Sequence, residues 1–227
     1  MLAFHSRKSS RFMMKFSDRL QCVTPPMSPT LYTDRLILRP TSANDIEALC
    51  EQWRLPDVRS SFLSDYAPTD ANARLVVNAA LADRNSGLGL WSLETTGSRT
   101  LVGCAGMLKV GKRDSGTDNV EMIIQLHPTT WGCGLAAEAL TALIRLAFGL
   151  LGIPSLFATV LEPNARSCTL FERLGFTLVD AKLPTLTYQL DAGDVPDFDG
   201  AGFTPWSDFS VGAPDDGCAL SAFSSSR

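Results

Sequence analysis

Between an apolar run and a helical one, the chain reads HPTTWGCGLAAEAL, from His127 to Leu140. Two glycines two residues apart at a strand-to-helix junction demand a turn whose backbone makes a close approach. The unpaired amides and dipole at the start of the following helix form a seat for an anion. Gly132-Cys133-Gly134-Leu135-Ala136-Ala137 satisfies the pattern G-x-G-x-x-G/A of dinucleotide loops. That fingerprint places its first glycine directly after the strand and an acid about 20 residues further on. Here HPTTW intervenes, and the later region is Gly152-Ile153-Pro154. A Walker loop is excluded, because no Gly-Lys-Ser/Thr occurs. A pyrophosphate of another kind, or a tight turn with no ligand, remains.

The rest of the chain supports a single domain around this turn. With 227 residues, one core domain with tails is expected. Apolar residues make up 45 %, enough for a core, and no run approaches the roughly 18 to 20 apolar residues of a membrane span. A net charge of -4 and a pI near 5.2 argue against nucleic acid as a partner. The six cysteines are dispersed without a C-x-x-C pair and the chain has two histidines, so neither a zinc site nor a disulfide framework is expected.

Residues 1–30 form a basic extension with Arg7, Lys8, Arg11, Lys15 and Arg19, read as disordered or as a mitochondrial presequence. Residues 191–227, rich in Gly, Asp, Ser and Pro, read as a disordered acidic tail. Together with the dispersed thiols, the expected location is the cytoplasm, with the mitochondrion as the alternative.

Residues 31–190 alternate strands and helices. LYTDRLILRP reads as a strand ending at Pro40, and Thr41 or Ser42 can cap a helix with Ile46, Leu49, Cys50 and Trp53 inward. A second helix is expected over Asp70 to Leu81. LGLWSLET and TLVGCAGMLKV form a hairpin around TGSR, and NVEMIIQLH is the next strand. A helix from Gly134 to Leu150, the strand SLFATVL, a helix from Ala165 to Leu174 and the strands FTLVD and TLTYQL complete the order.

Taken together, TDRLILRP, VEMIIQLHPTTWGCGLAAEAL and EPNARSCTLFERLGF resemble the GNAT superfamily of acetyl-CoA-dependent N-acetyltransferases. The likeness is to its branch of ribosomal-protein N-terminal acetyltransferases and runs from about Leu31 to Leu190. It implies an α/β fold with a mixed, mostly antiparallel sheet and helices on both faces. It also implies acetyl-CoA as cosubstrate, no metal, and a primary amine as acceptor, either a protein N-terminus or a small molecule. The chain would act as a monomer or homodimer, away from membranes. The coenzyme A pyrophosphate would lie on the amides of Trp131, Gly132, Cys133, Gly134, Leu135 and Ala136, with Trp131 where the family commonly has Arg or Gln. Gln125 and Leu126 would run along the pantetheine arm by backbone hydrogen bonds, and Asn164 would face that arm from the next strand's end.

Acyl transfer to an amine needs a neutral nucleophile, a donor for the developing oxyanion and a proton for the leaving thiolate. Glu121 is the candidate base, in an otherwise apolar strand where burial raises a carboxylate's pKa. A salt bridge, with Arg39 as possible partner, is its other reading. A backbone amide near Gln125 or Leu126 would meet the oxyanion. Many GNAT enzymes supply the proton from a tyrosine where this chain has Phe171, so Ser167 is the candidate acid here. Ser167 could instead cap the short helix, a role Asn164 fits too. A non-catalytic acyl-CoA-binding protein of the same fold is the alternative function.

Overall fold

Leu36, Leu38, Trp91 and Leu93 alternate along their strands and are fully buried, because each strand presses one face against a helix. The computed structural model describes residues 28–61, Arg74, Val77, Asn78, 83–112, 118–196, Phe198, Val211 and Gly212. Of the extension expected over 1–30, residues 1–27 lie outside them; Ser28–Thr30 are not disordered, since Ser28 donates to the Leu88 carbonyl at 2.6 Å, the Pro29 carbonyl accepts from the Trp91 indole at 2.7 Å and Thr30 opens the first strand. Most of the expected 70–81 helix also lies outside the described residues; of it, Arg74, Val77 and Asn78 are helical and Val77 is buried.

Among the described residues nine strands form one sheet: β1 (Thr30–Tyr32), β2 (Leu36–Pro40), β3 (Gly89–Thr95), β4 (Leu101–Lys112), β5 (Asp118–Leu126), β6 (Ser155–Leu161), β7 (Thr177–Lys182), β8 (Thr185–Asp191) and β9 (Val211–Gly212). Their spatial order is β7-β8-β6-β5-β4-β3-β2-β1-β9. Neighbours are antiparallel except β5 and β6, which run parallel. Helices α1 (Ile46–Arg54) and α2 (Pro56–Arg59) cover one face; α3 (Leu135–Arg145) and α4 (Ala165–Arg173) cover the other. Helix α3 ends in a widened turn, Leu146–Leu150, where Leu151 N–H donates to the Leu146 carbonyl at 3.1 Å. This is the expected mixed, mostly antiparallel α/β fold.

Two features differ from the sequence expectation. LYTDRLILRP is not one strand but a hairpin, turning at Thr33–Arg35. Thr33 N–H donates to the Leu36 carbonyl at 2.9 Å and Leu36 N–H to Thr33 Oγ1 at 3.0 Å, so a side-chain bond does the work of a glycine. Within the stretch read as a disordered tail, Val195 and Phe198 pack on the main core and Val211–Gly212 pair with the outer edge of β1. That edge would otherwise leave its backbone groups unpaired by protein.

An ion cluster locks the first helix to the sheet. Arg39 donates to both oxygens of Asp45 (2.7 and 2.6 Å) and, through Nε, to Glu94 (2.5 Å); Glu94 also meets Arg99 at 2.8 Å. Ser42 donates N–H and Oγ–H to the same Asp45 carboxylate (2.7 and 3.0 Å), tying the helix start. Burial alone would raise the Asp45 carboxyl, but the Arg39 and Ser42 bonds hold it down at about 2, below its ordinary 3.8. A depressed carboxyl contributes stability above its unfolded value that is lost as pH falls through the folded one. The melting temperature should therefore drop between about pH 4 and pH 2. Arg39→Leu leaves the nearly buried Asp45 carboxylate without a cation and Glu94 with Arg99 alone, so it should cost about 2–4 kcal/mol at pH 7. It should also flatten that acidic leg, which thermal unfolding across pH measures.

Candidate active site

The site begins where the sheet splits. β5 and β6 pair only at Val120↔Leu156 and Glu121↔Phe157 and then diverge, while β6 stays paired with β8 from Ser155↔Asp191 to Leu161↔Thr185. The result is a V-shaped cleft with a strand edge on each wall.

Strand alternation decides which backbone groups face it. His127 N–H donates to the Val102 carbonyl at 2.8 Å, so the backbone groups of Gln125, Ile123 and Glu121 turn toward β4. Those of Met122, Ile124 and Leu126 turn toward the cleft. On the other wall, Glu162 N–H donates to the Pro184 carbonyl at 2.9 Å, which turns Thr159 and Leu161 toward the cleft. Of the two residues expected along the pantetheine arm, Leu126 thus presents its backbone to the cleft. Gln125 does not, because it sits one residue out of phase. Its side chain goes to the α1 face, where its Oε1 accepts from the Trp53 indole at 2.9 Å and its Nε2 is buried without a partner among the described residues.

Glu121 stands at the apex. It is half-buried, and its carboxylate accepts the Thr159 N–H at 3.1 Å, an amide left without a strand partner by the split. Arg39 is not its partner, since the register of β2 on β3 delivers that guanidinium to Glu94 and Asp45 instead. By alternation Glu121, Ile123 and Gln125 share the face covered by α1, opposite to α3 and α4.

The glycine turn follows β5 at the open end of its wall. Gly132 and Gly134 have φ of 75° and 78°, left-handed values that strain other residues. Both are exposed, as is Cys133, and Leu135 and half-buried Ala136 open α3. Glu138 N–H makes the helix's first bond, to Gly134 O at 3.2 Å, leaving the amides before it without helical acceptors. Half-buried Trp131 donates its indole N–H to the Leu126 carbonyl at 2.8 Å and lies 4.9 Å beneath the Arg166 guanidinium from α4. The two cleft walls therefore touch through a cation–π contact.

Asn164 is the cap of α4: its Oδ1 accepts the Ser167 N–H at 3.2 Å. Ser167 is thus the capped residue rather than the cap, and its half-buried hydroxyl has no partner among the described residues. Phe171, where the family commonly has tyrosine, is buried edge-on against Phe176 with ring centres 5.2 Å apart. His127 Nδ1 accepts from Thr129 N–H at 3.3 Å, a local loop role. Among buried groups that sequence reasoning passed over, Tyr188 donates its hydroxyl to Glu172 at 3.3 Å, and burial foremost pushes that phenol up.

Comparison with known proteins agrees with this geometry. Residues 35–177 match the Acetyltransferase (GNAT) domain family. The N-acetyltransferase YoaA of Bacillus subtilis (strain 168) is 26 % identical over 152 residues, 66 % of this chain and 84 % of that protein. An acetyltransferase structure from Agrobacterium tumefaciens str. C58 superposes with a TM-score of 0.63 at 26 % identity, covering 71 % of this chain and 94 % of the other. Two more distant structures share the fold. One is a spermidine N-acetyltransferase from Vibrio cholerae in complex with CoA and spermine (TM-score 0.60, 14 % identity, 71 % and 98 % covered). The other is a ribosomal L7/L12 alpha-N-protein acetyltransferase in complex with coenzyme A (TM-score 0.58, 15 % identity, 70 % and 95 % covered). Built on a sheet split beside a left-handed glycine turn and matched over residues 35–177, the chain belongs to the GNAT acetyltransferase family and is an acyltransferase.

Proposed function

We propose that the protein moves an acetyl group from acetyl-CoA to a primary amine, by direct attack of the amine in the V-shaped cleft. The observation that carries this is the junction of two features: the edge of β5 beyond Glu121, which β6 does not pair, and the exposed glycine turn Gly132–Gly134 at the start of α3 beside it. An extended amide-bearing arm can add to the first as a strand would, and a pyrophosphate can sit on the second. No side chain fills the turn at Gly132, where an added Cβ meets nothing within 4 Å.

Acetyl-CoA supplies an activated thioester, and the protein's residues supply the rest. Glu121 takes the proton of the attacking amine, directly or through a water, from the α1 face. Of the two residues considered for the oxyanion, Leu126 turns its backbone to the cleft, so its N–H, or that of Ile124 two residues before it on the same edge, donates to the developing oxyanion in place of Gln125. Leu126 lines the arm together with Ile124. Asn164 keeps its Nδ2 for the arm, since Oδ1 is spent on the helix cap. Ser167, rather than the missing tyrosine, gives the leaving thiolate its proton.

The acceptor is a protein N-terminus or a small amine. The fold neighbours named for spermidine and for ribosomal L7/L12 span both classes. Thiol release from acetyl-CoA, measured across peptide N-termini, polyamines and drug-like amines, tests the reading. Turnover on any acceptor is the expected result. Tight acetyl-CoA binding without turnover would instead assign the chain a scaffold role, which the buried Phe171 ring favours. Absence of binding would overturn both.

A further inference from the structure

Gly134 is conformationally free, so something outside the turn must fix which way its amide points. The peptide joining Cys133 to Gly134 is planar and trans, so its N–H points opposite to its C=O. A Gly-x-Gly turn could flip that plane cheaply. Arg35, on the hairpin between β1 and β2, holds the plane by its oxygen: Nη1 donates to the Cys133 carbonyl at 2.8 Å. The guanidinium lies against the turn, with Nη2 3.4 Å from the place a Cβ on Gly134 would take.

The arginine is itself braced. Its Nε and Nη2 both reach Glu138 Oε2 at 2.6 Å, while its backbone N–H (2.8 Å) and Thr33 Oγ1 (2.6 Å) donate to Oε1. Burial would raise the Glu138 carboxyl, but Thr33 and Arg35 hold it below the usual range, so it stays an anion under Arg35. With Arg35 and Glu138 neutralising each other, the arginine acts through geometry more than through net charge. A donor on the carbonyl also polarises the peptide and strengthens its N–H.

We infer that Arg35 is a positioning residue for coenzyme A: by gripping the Cys133 carbonyl it aims the Gly134 N–H outward at the pyrophosphate. This rests on the reading of the turn as a pyrophosphate seat. It explains why the first hairpin, distant in sequence, is built onto the start of α3.

The test compares Arg35→Met, Arg35→Lys and Thr33→Val with the unaltered protein, by calorimetric titration with coenzyme A and by thermal unfolding. Arg35→Met should raise Kd about tenfold, the effect of one well-placed hydrogen bond. Lysine, which keeps a donor in reach of the carbonyl, should recover part of the loss. Thr33→Val loosens the brace but leaves the Arg35–Cys133 bond, so it should lower the melting temperature and leave Kd unchanged. In ¹⁵N-labelled protein the Gly134 amide resonance should move in Arg35→Met before any coenzyme is added, and stay in Thr33→Val. If Arg35→Met binds coenzyme A as the unaltered protein does, or Thr33→Val weakens binding equally, the inference is overturned while the pyrophosphate reading stands. If the unaltered protein does not bind coenzyme A, both fall together.

Discussion

Gly134→Glu should abolish coenzyme A binding, raising Kd by at least about a hundredfold. Three effects act in the same direction. A φ of 78° costs a residue with a Cβ about 1–2 kcal/mol. The new Cβ would sit 3.4 Å from Arg35 Nη2, in ordinary contact, so the rest of the glutamate side chain must share space with the guanidinium that holds the Cys133 carbonyl. The new carboxylate then takes the anion seat itself, because the helix start favours a negative charge in cis as much as from a ligand. That last effect also protects the fold, so the variant should unfold near the unaltered temperature. Gly134→Ala, with strain and no charge, should lose only part of the affinity. Calorimetric titration with coenzyme A checks both, and undiminished affinity in Gly134→Glu would mean the pyrophosphate lies elsewhere.

Glu121→Gln carries the second large effect, a fall in kcat of about 10²- to 10³-fold, the usual contribution of a positioned base. Glutamine keeps the side chain's shape, and its Oε1 can still accept the Thr159 N–H, so the apex of the cleft survives. What disappears is the proton acceptor. KM for acetyl-CoA should change little, since Glu121 shares the α1 face with Ile123 and Gln125 rather than the glycine turn. Thiol-release kinetics under saturating acceptor measures both quantities. A variant turning over as fast as the parent would move the base to another residue.

Much of the scaffold was legible because local pattern and tertiary burial agree. NVEMIIQL alternates, and Val120, Met122 and Leu126 do face α3 and α4. The α3 periodicity puts Leu140, Leu143 and Ala147 fully inside. Pro163-Asn164 before a polar helix announced a cap, and Asn164 is one. The hairpin at Thr33–Arg35 was not legible, because Thr-Asp-Arg contains no glycine or proline and its brace, Glu138, lies on another element. The partner of Arg39 was misjudged for a similar reason: an arginine reaches whatever the strand register sets beside it, here Glu94 and Asp45. Gln125 looked adjacent to the arm in sequence, but a strand shows only every second backbone unit to one side. Of the two residues expected along the arm, Leu126 turns its backbone to the cleft and Gln125 turns its own toward β4.

An open V exposes two strand edges, and such edges are templates for pairing with another molecule. Here each edge carries its own stopper. The Glu121 carboxylate occupies the Thr159 amide, and the Trp131 indole occupies the Leu126 carbonyl. A passing strand from a second chain would have to displace a charged group on one wall and an indole on the other. The Glu121 and Trp131 side chains thus stand in the way of edge-to-edge pairing with a second chain.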